Sequence, residues 1–262
     1  MQRLRVRYAK RGRLRFTSHR DFSRAFERAV QRARVPMAYS SGFNPHPRIS
    51  YAGASPTGSA SEAEYLEIGL AHETAPAAVQ AALDEALPKG LDVLEVVVST
   101  GGSLSDLLEA SVWRSRVPDL TREAAEAAVR AFLGTDEVLV ERMTKKGLRS
   151  FDCRGAVVTL ALVDQMADPS ADPVTGEMAD PVTDLGAAAT MTGGRGGECA
   201  ILEMVLRHGT PTVRPDDVLA GLRTTAGLGA AAAPYHERLA QGPLDTVTGT
   251  VGDPLALNRD TA

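Results

Sequence analysis

Apolar and polar positions alternate strictly over residues 2–8. Leu4, Val6 and Tyr8 fall on one side and Arg3, Arg5 and Arg7 on the other, a period of two that predicts a half-buried strand. Lys10-Arg11-Gly12-Arg13 reads as a turn, with Leu14 and Phe16 placed to extend a hairpin. The period then changes. Phe22, Ala25, Phe26, Ala29, Val30 and Ala33 recur at helical spacing. Ser18 is a suitable N-cap with Asp21 three residues on, and Pro36 ends the run. Arg20, Arg24, Arg28 and Arg32 recur every four residues on the opposite face.

The same grammar continues. Residues 37–40 and 49–52 read as short strands around the irregular segment 41–48. Residues 65–70 alternate as a strand. Residues 74–87 carry a helical stripe of Ala78, Val79, Ala82, Leu83 and Leu87, and 91–98 form a β-branched strand. The resulting order, β-α-β-β-α-β over residues 1–100, has a ferredoxin-like sandwich as its natural packing: an antiparallel sheet with both helices on one face. Residues 110–225 repeat the pattern more loosely. Strands are expected at 111–117, 137–143, 149–163 (one or two, around Gly155) and 200–206. Thr121 caps a helix to Leu133, and 214–222 form a short helix. The predicted fold class is therefore α+β with tandem ferredoxin-like domains. Residues 165–197 contain Ala-Asp-Pro-Val-Thr twice and end in a glycine run. They are read as a disordered insertion, and 226–262 as a C-terminal tail. The glycine run lacks the Gly-Lys-Ser/Thr ending of a phosphate loop.

Composition narrows the class. With 44% hydrophobic residues the chain can bury a core, and no apolar run reaches the roughly 18 residues of a membrane span. Two cysteines provide no disulfide framework and fit a reducing cytoplasm. With no signal-peptide pattern at the N-terminus, the expected location is cytoplasmic. The net charge of −4 hides an asymmetry. Residues 1–50 hold 13 Lys/Arg against Asp21 and Glu27, while the rest of the chain holds 16 Lys/Arg against 31 acids. A basic N-terminal surface beside an acidic remainder suits an anionic ligand, RNA foremost. Pairing between the halves is the competing reading.

Candidate chemistry concentrates in three places. The first is Ser40-Ser41-Gly42-Phe43-Asn44-Pro45-His46-Pro47-Arg48, where two prolines stiffen a loop that presents Phe43, Asn44, His46 and Arg48. The second is His19, followed by Arg20 at a helix start, where oxyanions bind readily. The third is Ser61-Glu62-Ala63-Glu64, whose carboxylates would act as acid and base or, more simply, pair with Arg48 or Arg20. Arg5 and Arg7 on the first strand are candidate phosphate contacts. Cross-strand pairing with Glu67 or burial under the second domain is the alternative. His19 and His46 have no convincingly spaced third ligand, so no metal site is expected.

These residues resemble a known family. Gly12, Phe16 and Ser18-His19-x-Asp21 form one part, Ser40-x-Gly42-Phe43-Asn44-Pro45-His46-Pro47 a second, and Gly58-x-x-Ser61-x-x-Glu64-Tyr65 a third. Asp152-x-Arg154 and Arg214-Pro215-Asp216-Asp217-Val218-Leu219 follow later. Together they are similar to the radical-SAM-linked family of uncharacterised bacterial proteins, a domain of unknown function. This chain departs from it at Ala54-Ser55-Pro56-Thr57-Gly58, where members usually carry a Pro-Leu-Pro-Val-Gly-like stretch. The resemblance implies a radical SAM enzyme as partner. S-adenosylmethionine and the iron–sulfur cluster would then sit in that partner, since this chain lacks a Cys-x-x-x-Cys-x-x-Cys cluster and is expected to carry no cofactor. The resulting expectation is a non-catalytic accessory protein that presents RNA or another anionic substrate. Arg5, Arg7, His19, Arg20, Ser40, Gly42, Phe43, Asn44, His46, Arg48, Ser61 and Glu64 are its candidate binding residues. The alternatives are a metal-independent RNA-processing endonuclease with His19 or His46 as base, and a pure protein-interaction module.

Overall fold

A computed structural model describes residues 1–144, 147–164, 198–229 and 233–259 as a mixed α+β structure built on a mostly antiparallel sheet. The first strand, β1 (Gln2–Lys10), keeps the alternation, with Leu4, Val6 and Tyr8 buried on one face. Gly12–Phe16 coil into a 3-10 turn instead of extending a hairpin. Both edges of β1 are already taken by other strands, so a hairpin partner has nowhere to pair. Helix α1 (His19–Arg32) begins where Ser18 Oγ accepts the Asp21 N–H at 3.2 Å and donates to the Asp21 carboxylate at 2.7 Å. Its Phe22, Phe26, Ala29 and Val30 turn inward, and Phe22 stacks on Tyr8 at 4.4 Å between ring centres.

The N-terminal half is completed by β2 (Ile49–Ala52), β3 (Ala60–Leu70), α2 (Pro76–Ala86) and β4 (Val93–Val98). β1 lies between β4 and β3, and β2 pairs with the outer edge of β3. The strand expected at 37–40 is reduced to two isolated bridges, Met37 to Leu70 and Tyr39 to Pro47. Pro36, Pro45 and Pro47 lack the N–H donors that a continuous ladder needs.

The C-terminal half runs β5 (Ala110–Pro118), α3 (Arg122–Leu133), the hairpin β6 (Leu139–Thr144) and β7 (Gly147–Asp152), then β8 (Val157–Val163), β9 (Cys199–Arg207), α4 (Pro215–Ala226) and β10 (Tyr235–Gly242). Its strands lie in the order β10-β5-β9-β8, with the β6–β7 hairpin apart. The insertion read at 165–197 lies outside the described residues. Each half has its own core. In one, α1 and α2 cover Leu4, Val6, Leu66 and Ile68. In the other, α3 and α4 cover Trp113, Leu202 and Met204.

The two halves share one sheet, where the sequence predicts two separate units. β3 offers a single outer edge to two strands end to end. β2 pairs along Tyr65–Ile68, and β10 joins in parallel at Ala60 and Ser61. The segment read as a tail over 226–262 therefore includes a strand at the middle of the molecule. Beyond β10 the chain turns back, and a last short helix α5 (Ala256–Arg259) lies against β4. Leu255 packs there with Tyr65, Val97, Leu104 and Leu108 on the sheet face away from α1 and α2. No described helix is long and apolar enough to cross a membrane.

Candidate functional site

Beside its join with β3, β10 forms the floor of a cleft of about 630 Å³ between the halves. His19 at the start of α1 stands on one side, with the loop Gly53–Thr57. Thr212–Asp216, leading into α4, stand on the other. Ser111 and Trp113 of β5, His208, and Arg238 and Gln241 of β10 complete the lining. The loop needs its glycine. Gly53 has φ +59°, and a Cβ there would meet Gln241 Oε1 at 2.3 Å.

Beneath the loop lies a buried ionic cluster. Arg238 (3% exposed) pairs with Glu64 (2%). Its Nε donates to Ser61 Oγ at 3.3 Å and its Nη1 to Gln241 Oε1 at 3.0 Å. Gln241 Nε2 donates to the Ala63 carbonyl at 3.1 Å, and the Ser55 N–H to Glu64 Oε2 at 3.1 Å. Lys10, 5% exposed, reaches the Pro56 carbonyl at 3.4 Å. Burial alone would raise the Glu64 carboxyl. Arg238, with Ser61, Lys10 and the Ser55 N–H, outweighs it and holds the group below its ordinary value. Burial pushes the Lys10 ammonium the other way, below its ordinary value, against the pull of Glu64.

Two histidines hold the cleft wall through hydrogen bonds whose directions fix their tautomers. His208 Nδ1–H donates to the Leu108 carbonyl at 2.7 Å, so its Nε2 accepts the Ser111 hydroxyl at 2.9 Å. The indole N–H of Trp113 donates to that same hydroxyl oxygen at 2.9 Å. His236 Nδ1 accepts from Ser115 at 2.8 Å, and its Nε2–H donates to Asp216 at 3.0 Å. The serine, histidine and aspartate resemble a hydrolytic triad in composition only. The Ser115 side chain has no solvent access, so the relay ties β5 and β10 to the start of α4 instead of presenting a nucleophile. Sequence reasoning missed both relays because the serines lie 97 and 121 residues from the histidines they meet.

The candidate residues are distributed unevenly. His19 is exposed in the cleft, edge-on to Tyr51 at 4.9 Å between ring centres. Ser61 and Glu64 belong to the floor, and the arginine that Glu64 meets is Arg238 rather than Arg48 or Arg20. Arg20 lies on the open face of α1 with Arg24, Arg28 and Arg32. The arginine stripe of β1 is not an open phosphate-binding face. Arg5 is 2% exposed and donates to Glu67, Asn258 and the carbonyls of Gly101 and Gly102. Arg7 donates to the Glu62 carbonyl at 2.9 Å. The covering segment is the same C-terminal stretch that the sequence reads as frayed.

The Gly-Phe-Asn-Pro-His-Pro loop forms a separate projection that does not line the cleft. Ser40 N–H donates to the His46 carbonyl at 2.9 Å, and His46 N–H to Ser40 Oγ at 3.0 Å. Arg48 Nε donates to the Tyr39 carbonyl at 3.3 Å. Gly42 takes φ +138°, and Phe43 at the tip is fully exposed beside exposed Asn44 and His46. His19 and His46 are thus not brought together in the cleft. Among the described residues no three His, Cys, Asp or Glu side chains gather as a metal site.

No curated protein matches the chain. A family described as an uncharacterized protein conserved in bacteria, DUF2344, matches residues 3–215, from β1 to the first residue of α4. Since that span takes in α1, α2 and α3 and all of the sheet except β10, the chain belongs to this family.

Proposed function

We propose that this protein is an accessory, substrate-presenting subunit that holds an anionic substrate, RNA in the first instance, in the cleft between its halves. In this reading it works in the cytoplasm beside a radical SAM enzyme, which supplies the cofactors and the chemistry. The two halves are read as tandem ferredoxin-like units, since each has the strand order 4-1-3-2 when its own four sheet strands are numbered in turn. The observation that carries the binding role is a track of basic side chains on α1 leading to the cleft. His19 stands in the cleft mouth, and Arg20, Arg24 and Arg28 run back from it along the exposed face of α1. Arg214 and Arg238 line the opposite wall and floor. Such a track suits a polyanion, which gains affinity by releasing counterions. The stiff loop carrying Phe43 is the natural contact for the enzyme partner, because an exposed aromatic on a braced loop loses little entropy on docking.

Two measurements test the reading. Binding of a short single-stranded RNA is expected to fall steeply with salt, and Arg24→Glu with Arg28→Glu to reduce the slope by about two. An affinity flat with salt would remove the phosphate contact. Capture of the tagged protein from its own cells, with and without nuclease, is expected to bring down a radical SAM enzyme in both samples. Capture of neither enzyme nor RNA would overturn the accessory role.

A further inference from the structure

The ionic cluster under the Gly53–Thr57 loop is not balanced. Lys10, Glu64 and Arg238 are each at least nine-tenths buried, and they carry two positive charges against one negative. An unmatched buried charge is costly unless a counter-charge comes within reach. The nearest carboxylate in the cleft lining, Asp216, is held by His236 and is 67% exposed. The cluster also has unused hydrogen-bonding capacity. Arg238 engages one hydrogen-bond partner through each of its three nitrogens, which leaves two of its five N–H donors unassigned among the described residues. Ser55 Oγ, in the loop above, is buried without a partner. Arg238 itself opens onto the cleft, with exposed His19 and Arg214 at the rim.

We propose that this floor is a binding site for a phosphomonoester, the terminal phosphate of a sugar phosphate or of a nucleic-acid end, and not for a generic polyanion backbone. A monoester dianion carries about −1.5 to −2 charge at neutral pH and three strong acceptor oxygens. That offsets the excess charge of the floor and gives the unassigned Arg238 donors their acceptors. A phosphodiester carries a single charge and lacks the third free oxygen. The cleft volume, about 630 Å³, is in the range of small-molecule sites and admits a pentose phosphate. The proposal deepens the accessory reading by naming the group that the cleft selects, and it rests on that reading only for the claim that the ligand is RNA.

The test is a calorimetric titration of the full chain with ribose 5-phosphate and with ribose, at constant ionic strength. Saturable binding of the phosphate and none of the free sugar is expected. Arg238→Gln should weaken it about tenfold or more, the loss of a charge-assisted hydrogen bond. Because that change also breaks the buried pair with Glu64, a second readout uses the native protein. Ribose 5-phosphate is expected to slow carbethoxylation of His19, the exposed histidine in the cleft lining, by diethyl pyrocarbonate, and ribose to leave it unchanged. No binding at millimolar ribose 5-phosphate, equal binding of ribose, or unchanged His19 labelling under saturating ribose 5-phosphate would each overturn the site. A parallel titration with single-stranded RNA separates the two claims. RNA binding without ribose 5-phosphate binding overturns the monoester floor alone. Ribose 5-phosphate binding without RNA binding overturns the RNA reading alone.

Discussion

His208 is held neutral because its ring is buried, and its tautomer is set by the Leu108 carbonyl and Ser111. Its proton affinity is therefore lower in the fold than in the unfolded chain, where a histidine titrates near about 6.5. The unfolded state binds more protons as the pH drops, so this contribution is present above about pH 6.5 and is lost progressively below it. Thermal unfolding followed from pH 7.5 to 5.5 is expected to show that loss, and His208→Gln to flatten it; an unchanged slope would remove His208 as the origin. Glu64 and Asp216, both held below their ordinary values, lose their contributions only in a separate, more acidic window, below the usual carboxylate range. At this scale the sequence is a partial guide. Ser18 is legible as a cap because its hydrogen bond is to a neighbour three residues away. The buried partners of Arg5, Gly101 and Asn258, are 96 and 253 residues distant, and nothing near Arg5 announces them.

Elements whose inward face is apolar are the ones that pattern alone finds. β1, α1, β4 and α3 all present an alternating or helical stripe to a core. β10 does not. Its buried positions include His236, Glu237, Arg238 and Gln241, because it carries the polar floor of the cleft instead of packing a greasy layer. A central strand built from charged and polar residues reads as a tail, and the cleft is hidden from pattern by the same residues that line it. The close of β10 also has a sharp steric demand. A Cβ on Gly242 would sit 2.0 Å from the Gly252 carbonyl oxygen. Gly242→Ala is expected to push the returning chain away and cost about 1–3 kcal/mol, read as a lower denaturant midpoint; a midpoint within error of the parent would mean that the segment is free to shift.

Across the whole molecule the two halves are joined by strand pairing, by the Arg238–Glu64 bridge, and by the final segment laid over β1 and β4. Removing residues 253–262 would uncover Arg5 and take away Leu255, which is fully buried. The burial of one leucine is worth roughly 2 kcal/mol, so the truncated protein is expected to melt at lower temperature and to expose its N-terminal arginines to proteolysis. Trypsin cleavage as slow as in the full chain would show the covering to be incidental.

The shared edge of β3 also sets an order of events during synthesis. Ala60 and Ser61 are made long before Glu237 and Arg238, their partners across the join. Until β10 has emerged, the Glu64 carboxylate lacks Arg238 and the loop over Lys10 has no Gln241 to rest on. A chain interrupted after β4 and before β10 therefore carries every residue of the N-terminal core but lacks the floor. A chain that lacks β10 thus keeps the β3 edge open at Ala60 and Ser61, an unpaired strand edge that chaperones and proteases can recognise.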